Sequence, residues 1–378
     1  MLDNWVMVTA NELVELRMIT QGFVTAPFAT PAAAAAHLSA SQGQHLGGVI
    51  ASLALRTTSG ARADVVSAFA RGEIVRGYPM RGTVFAVAAD DLAWQLALTG
   101  PRQLASARRR RIEHGLDELV PQAAELARAA IAASPDRAIT RAALGEVWEA
   151  NDIPTDSGRL YHLVFTLMAR GDVAYGPLRG SDHLLVDAHE WLPGSSSLEA
   201  RFNSDERAAL GHWLRAYLTG HGPATLRDFA WWTKLPLGRI RAAEAEATSE
   251  LEAYGELEGE TRWGRAGLRE ERERIGAETL AVGRLLPPFD ELVLGYPDRH
   301  YIVPAEHHAR LVPGNNGVFR PSAVRRGAIL GTWSAKQRAA GREFLLESFA
   351  ESVSEAARAE FARAFASYPH PEPDAAGE

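Results

Sequence analysis

The chain has 378 residues, is 46% hydrophobic and carries a formal charge of −7, enough apolar material for several cores and so for two to four domains of ordinary size. It contains no cysteine, which excludes disulfides, thiolate nucleophiles and zinc–thiolate sites. The opening MLDNWVMVTANEL lacks the basic flank and apolar core of a signal peptide, and the runs LGGVIASLALR and RLYHLVFTLMAR are too short and punctuated to span a bilayer. A cytoplasmic protein without a membrane role is expected.

Net acidity alone argues against a nucleic-acid partner, because phosphate binding needs a basic footprint. The charge is unevenly placed, however. Arginine makes up nearly all of the basic complement, with only Lys234 and Lys336 besides; ARRRRIEHG gathers Arg108, Arg109, Arg110 and Arg111, while LLESFAESVSEAARAEFARAF forms an acidic tail expected to be helical. A duplex responds to local basicity rather than to the sum.

In chain order, TANELVELRMITQGF predicts a helix capped by Thr9, ATPAAAAAHLSA one with Thr30 and Pro31 at the cap and first position, and a third runs from about Leu46 to Arg56. A fourth, ARADVVSAFARGE, leads into IVRGYPMRGTVFAVA, where two β-rich runs flank a turn with Pro79 and Gly82. Helices followed by a hairpin is the order of a winged-helix module, and the order recurs. AITRAALGEVWEAN (cap Thr140), RLYHLVFTLMARG and the hairpin DVAYGPLRGSDHLLVD form a second copy; GPATLRDFAWWTKLPLGRIRAAEAEAT and LEAYGELEGETRWGR form a third. The rest, from GRLLPPFDELVLGYP onward, is rich in Gly, Pro and short apolar runs, as in a small β-rich domain or partly closed barrel. The expected fold is α+β, divided as residues 1–100, 101–195 with a helical linker, 196–280, and 281–378.

The stretches YPMRGTVFAVAADDLAW, FAWWTKLPLGRIRAA and LLPPFDELVLGYPDRHYIVP with NNGVFRPSAVRRGAILGTW resemble, in the same order and over nearly the whole chain, the winged-helix DNA glycosylase family typified by AlkZ. The resemblance implies three tandem winged-helix units and a C-terminal β-barrel-like domain around a concave, DNA-sized channel. It also implies that a Gln-x-Gln signature in the first unit, here Gln42-Gly43-Gln44, is catalytic. Gly43 departs from the usual apolar central residue, and Phe85 stands where many members carry His; these departures bear on substrate range rather than on fold.

Taken alone, two glutamines two positions apart can equally cap or solvate the helix that follows. On a helix they would point about 200° apart; in an extended segment they share a face, and Gly43 favours extension. An amide suits one chemistry in particular. Guanine alkylated at N7 already carries positive charge, so its glycosidic bond can break without a general acid, and what remains is to steady an oxocarbenium-like sugar and hold a water against C1′.

Arg81, in a hairpin turn, is expected to meet a DNA phosphate as wing arginines do, and Arg108 to Arg111 to track the backbone; the bland alternatives are a solvated turn and a wet helix face. Asp90 and Asp91 read as an N-cap and first helical turn, Asp298 and Arg299 as a structural ion pair, and Trp231 and Trp232 as core with one of them able to face solvent. His307 and His308 are adjacent and so point different ways, a poor metal site, and neither a metal nor a cofactor is expected.

The leading expectation is a monomeric, monofunctional DNA glycosylase that excises cationic N7-alkylguanine adducts, including bulky or crosslinked ones, from double-stranded DNA in repair or self-resistance. The rival is a non-catalytic winged-helix regulator, against which three tandem units and the lack of an evident dimerisation helix weigh.

Overall fold

A computed structural model describes residues 8–339, 341–349 and 353–371. Its elements begin with helix α1 (Ala10–Thr20), α2 (Pro31–Leu38), strand β1 (Ser41–Gln42), α3 (Leu46–Ala54), α4 (Arg62–Ala70) and the hairpin β2 (Ile74–Met80) and β3 (Thr83–Ala88). There follow α5 (Ala89–Glu113), α6 (Val120–Ala133), α7 (Arg141–Glu149), α8 (Arg159–Arg170) and the hairpin β4 (Val173–Arg179) and β5 (Asp182–Asp187). The third set comprises helices Glu206–His221, Leu226–Thr233 and Leu237–Ala242 and the hairpin β6 (Leu251–Leu257) and β7 (Glu260–Arg265). Strands β8 (Arg284–Leu286), β9 (Ser322–Arg325), β10 (Ala328–Arg338) and β11 (Gly341–Ser348) and the helix Glu355–Ala366 end the order.

The predicted caps form as their chemistry requires: Thr9, Thr30 and Thr140 each accept a backbone N–H from the first turn of the helix they precede. Asp90 and Asp91 lie in the first turn of α5, but Ala88 holds the cap position. That helix runs unbroken across residue 100, where the sequence places a boundary.

Three helix–helix–hairpin units are present, and each opens on a short backbone pairing with the outer strand of its own hairpin. In the first, Ser41 and Gln42 pair with Ala86 and Phe85; in the second, Ile139 bridges Leu185; in the third, Ala224 bridges Trp263. The first two hairpins are not separate. Strands β2 and β4 pair antiparallel at Arg76 and Tyr175, which gives one five-stranded sheet in the order β1-β3-β2-β4-β5, while β6 and β7 form a sheet of two. One apolar cluster, with Phe85, Trp94, Trp213, Tyr217 and Trp232 among its members, joins the first and third units.

Two expectations change. The C-terminal strands form an open sheet, ordered β11-β10-β9-β8 with β8 and β11 at its edges, so among the described residues no barrel closes. Part of the acidic tail is strand β11, and the helix after it packs Ala357, Phe361 and Phe365 against this sheet instead of trailing into solvent. Helix α1 also belongs elsewhere than its place in the chain indicates. Leu13, Val14, Leu16, Met18 and Ile19 are all buried, because the helix is wedged with Val14 and Met18 against Leu286 and Ile329 and with Leu16 and Ile19 against Tyr254 and Leu268.

Candidate active site

In the second and third units the residue that caps the next helix, Thr140 or Thr225, directly follows the bridging residue, Ile139 or Ala224. In the first unit the cap is His45, three residues beyond the paired Gln42. The first unit therefore carries two extra residues at this corner, Gly43 and Gln44. Neither is helical: Gly43 donates its N–H to the Val84 carbonyl at 2.8 Å and the chain bends at Gln44, and His45 closes the segment by accepting the Gly48 N–H on Nδ1 at 2.9 Å.

The two amides are placed differently. Gln42 is buried, and its Oε1 accepts the backbone N–H of Gln44 at 2.9 Å while its Nε2 lies 3.5 Å from the Thr83 hydroxyl. Gln44 is exposed and lines a cleft of about 590 Å³ shared with Tyr78, Tyr161, Tyr175, Arg76 and His183. With one carbonyl committed to the backbone, the free amide is that of Gln44.

Gly43 is required by close approach. A Cβ there would stand 3.0 Å from the Ala86 nitrogen and 3.2 Å from Arg76 Nε, so the room an apolar side chain would need is filled by a guanidinium. Arg76 is buried and donates to the Gly43 carbonyl at 2.6 Å and to His183 Nδ1 at 2.6 Å. Since arginine only donates, His183 must accept on Nδ1 and hold its proton on Nε2, which donates to the Gly176 carbonyl at 2.7 Å. Burial, with Arg76 beside it, pushes the His183 imidazole down to about 3, and burial lowers Arg76 to about 10. Arg76 has no carboxylate within salt-bridge distance among the described residues, and its Nε has no partner.

From the other side the C-terminal region grips the same corner. Asp290, fully buried, accepts two hydrogen bonds from Arg56 at 2.9 Å each and one from Ser52 at 2.7 Å, both on α3 or just after it. Burial raises its carboxyl, but Arg56 and these hydrogen bonds outweigh that and hold it below the usual carboxylate range. Asp290 also caps the short helix Glu291–Leu294, which aims the buried Glu291 at the site: its Oε1 accepts the Gln42 N–H at 2.7 Å and its Oε2 the Trp232 Nε1–H at 3.2 Å. The contact spans 249 residues of sequence, a separation at which no spacing signal exists, and no motif in the sequence marks Glu291, Arg76 or His183.

Phe85, opposite Gln42 in the strand register, is fully buried edge-on to Trp232. Arg81 occupies the two-residue turn between β2 and β3 with φ +57°, its guanidinium 5.2 Å from the Phe85 ring. The Arg108–Arg111 run is already engaged: Arg108 and Arg111 pair with Asp117, and Arg109 and Arg110 with Glu113. Arg111 is buried and also donates to the Leu104 carbonyl, so it faces the core and not a ligand. Asp298 pairs with His300 and not with Arg299, which donates to the Val293 carbonyl. Trp232 is core and Trp231 lies at the surface edge. His307 packs on Phe349, and no group of three or more metal-ligating side chains occurs among the described residues. No described helix is long and apolar enough to cross a membrane.

The fold matches the solved structure of Streptomyces sahachiroi DNA glycosylase AlkZ with a TM-score of 0.70 over 97% of this chain and 99% of that one, at 20% identity. A curated relative from Streptomyces sahachiroi, an interstrand DNA cross-link repair glycosylase, is 28% identical over 174 residues, a segment that spans 43% of this chain and 43% of that protein. A family model described as DNA glycosylase AlkZ-like matches residues 35–370, which take in all three units and the C-terminal sheet, and the chain belongs to the AlkZ-like DNA glycosylase family.

Proposed function

We propose that the protein is a monofunctional DNA glycosylase that hydrolyses the glycosidic bond of N7-alkylguanine in double-stranded DNA, with Gln44 as the group that places the attacking water. The three units serve as winged-helix modules around a DNA-sized channel, and the two-residue insertion carrying Gln44 lies where the first unit faces it. The observation that carries the proposal is that insertion: one unit in three is lengthened at the same corner, and the added amide opens on a cleft.

The chemistry needs little from the protein. As the C1′–N9 bond breaks, the cationic base takes the bonding pair and leaves neutral; the water oxygen bonds to C1′ and its proton passes to solvent. Gln44 Oε1 accepts a hydrogen bond from the water and orients its lone pair, a contribution of the size seen for single preorganised polar contacts, ~10²–10³ in rate. Gln42, Arg76 and Glu291 hold the backbone that carries Gln44. A cleft of about 590 Å³ falls within the ~300–1,000 Å³ of sites that take drug-sized ligands, so adducts far larger than methyl fit beside it, including one arm of a crosslink such as the relative's name implies. Arg81 and the exposed members of the run, Arg108, Arg109 and Arg110, are the proposed phosphate contacts from the sequence, and the free Arg81 is favoured over the paired run.

The test is incubation with a duplex bearing a single N7-alkylguanine, followed by alkali. Strand breaks well above spontaneous depurination are expected; a rate equal to the protein-free control refutes the reading and leaves the non-catalytic DNA-binding alternative.

A further inference from the structure

Trp231 stands at the edge of the third unit with three cations around its ring: Arg81 at 4.9 Å from the centroid, Lys234 at 5.2 Å and Arg299 at 5.5 Å. They come from the first hairpin turn, the end of the helix Leu226–Thr233 and the loop after the helix Glu291–Leu294. No carboxylate lies within 4 Å of any of the three among the described residues, whereas most other arginines of α5 and the third unit have one, Arg102, Arg207 and Arg262 being the exceptions. Burial is the main cause that lowers the proton affinity of all three; Arg299 lowers that of Arg81 further and Arg81 that of Lys234, while Glu291 and Asp298 act on Arg81 and Arg299 in the opposite sense only from farther off. An indole face attracts one cation readily; three gathered on it without a counter-charge repel one another.

The backbone sharpens the point. Arg81 has φ +57° and Lys234 φ +62°, left-handed positions where glycine or asparagine is favoured and a long side chain carries a conformational cost, as it does at Arg326 in the turn between β9 and β10. Arg81 stands in a two-residue hairpin turn followed by Gly82 at φ +63°, a place that ordinarily selects Asn-Gly. Two of the three cations thus occupy sites that local conformation would assign to other residues. Arg81 and Lys234 also share with Arg102 a cavity of about 360 Å³, lined further by Gln103, Thr99 and Phe165 and by no carboxylate.

We infer that Arg81, Lys234 and Arg299, arrayed on Trp231, form a seat for a backbone phosphate of the DNA strand that passes the glutamine pair. The inference rests on the proposal that the substrate is DNA. Arg81 is two residues along the hairpin from Thr83, whose hydroxyl lies 3.5 Å from the Gln42 amide nitrogen, so the seat and the glutamine pair share one hairpin. The array joins all three elements that meet there, so a phosphate would register the strand against Gln44 as well as bind it.

Arg81→Gly and Lys234→Gly separate this role from a structural one, because glycine relieves the positive φ while removing the charge. Binding of an undamaged duplex is followed by fluorescence anisotropy across a salt series, alongside thermal unfolding. The double variant is expected to keep or raise its melting temperature, to bind about tenfold more weakly at low salt, and to lose ~0.9 from the slope of log affinity against log salt, the value for one phosphate contact. Arg299→Gln, which keeps a donor for the Val293 carbonyl, is expected to lower the slope likewise. A folded double variant with wild-type slope and affinity overturns the seat and leaves the glycosylase reading standing, as does a lowered melting temperature with the slope unchanged. A wild-type protein that binds no duplex at low salt overturns both.

Discussion

Gln42→Ala and Gln44→Ala should act on one arrangement and so fail to multiply. The Gln42 carbonyl is the acceptor for the Gln44 backbone N–H at 2.9 Å; without it a partly buried donor is left unpaired, at ~1–3 kcal/mol, or the segment moves to find a partner. At ~1.4 kcal/mol per tenfold that predicts a loss of about 5- to 150-fold in the chemical step. Gln44→Ala removes the amide proposed to hold the water and should cost ~10²–10³. Because the first effect works only through the placement of the second residue, the double variant should be no more than about threefold slower than Gln44→Ala, whereas independent roles would give the product of the two losses. Single-turnover excision from a duplex with one N7-methylguanine, at enzyme concentrations that saturate binding, isolates the step. Multiplying losses would refute the dependence of Gln44 on Gln42, and a Gln44→Ala rate within about threefold of wild type would refute Gln44 as the water-positioning group.

The single-turnover rate should be nearly flat from about pH 5.5 to 8.5: amides do not titrate, His183 at about 3 stays neutral throughout, and Arg76 at about 10 stays charged; a limb in that range would place a titrating group in the mechanism. Asp290→Asn leaves Arg56 as an unpaired buried charge, which should cost ~3–5 kcal/mol of stability. The Asp290 carboxyl is held below its usual value, so its contribution is fully present above ~pH 4 and is lost as pH falls through the lowered value; thermal unfolding should therefore show the gap to wild type narrowing in acid. Gly43→Ala puts a methyl 3.0 Å from the Ala86 nitrogen, a backbone atom that cannot swing aside. It should slow excision at least about tenfold with ~1–3 kcal/mol of destabilisation, and wild-type excision would show that the Gly43–Arg76 contact does not set the geometry.

What could be read from the sequence was local chemistry. A Thr side chain reaches only the next turn, so the caps at Thr9, Thr30 and Thr140 are visible in a few letters, and so is the extended bias that Gly43 confers between two glutamines. The pairing of β2 with β4 is not local: it brings Arg76 to His183 across 107 residues, and nothing in either hairpin shows that its open edge will be covered by the other. The C-terminal strands alternate and turn as a barrel's would, but closure depends on a pairing between β8 and β11 that sequence does not encode, and here the helix Glu355–Ala366 packs against the sheet instead.

The arginines show how the two scales part company. A run of four is the most visible basic feature of the chain, yet RRRRIEHGLDE also holds half of its own neutralisation: Glu113 and Asp117 lie two to nine residues beyond the arginines and each pairs with two of them. Such pairs at the surface contribute little to stability, but they weaken the field left for a phosphate. Arg81, Lys234 and Arg299 are scattered over more than two hundred residues and form no run, and only folding sets them on one indole. Charge that folding gathers and leaves without a paired carboxylate is a stronger sign of a ligand than charge the chain both concentrates and partly cancels. By that reasoning Arg109→Ala, which frees Glu113 only from the nearer of its two partners, should change duplex affinity less than about twofold, against about tenfold for the Trp231 array. Equal losses from the two sites in the same salt series would return the run to the DNA-binding face.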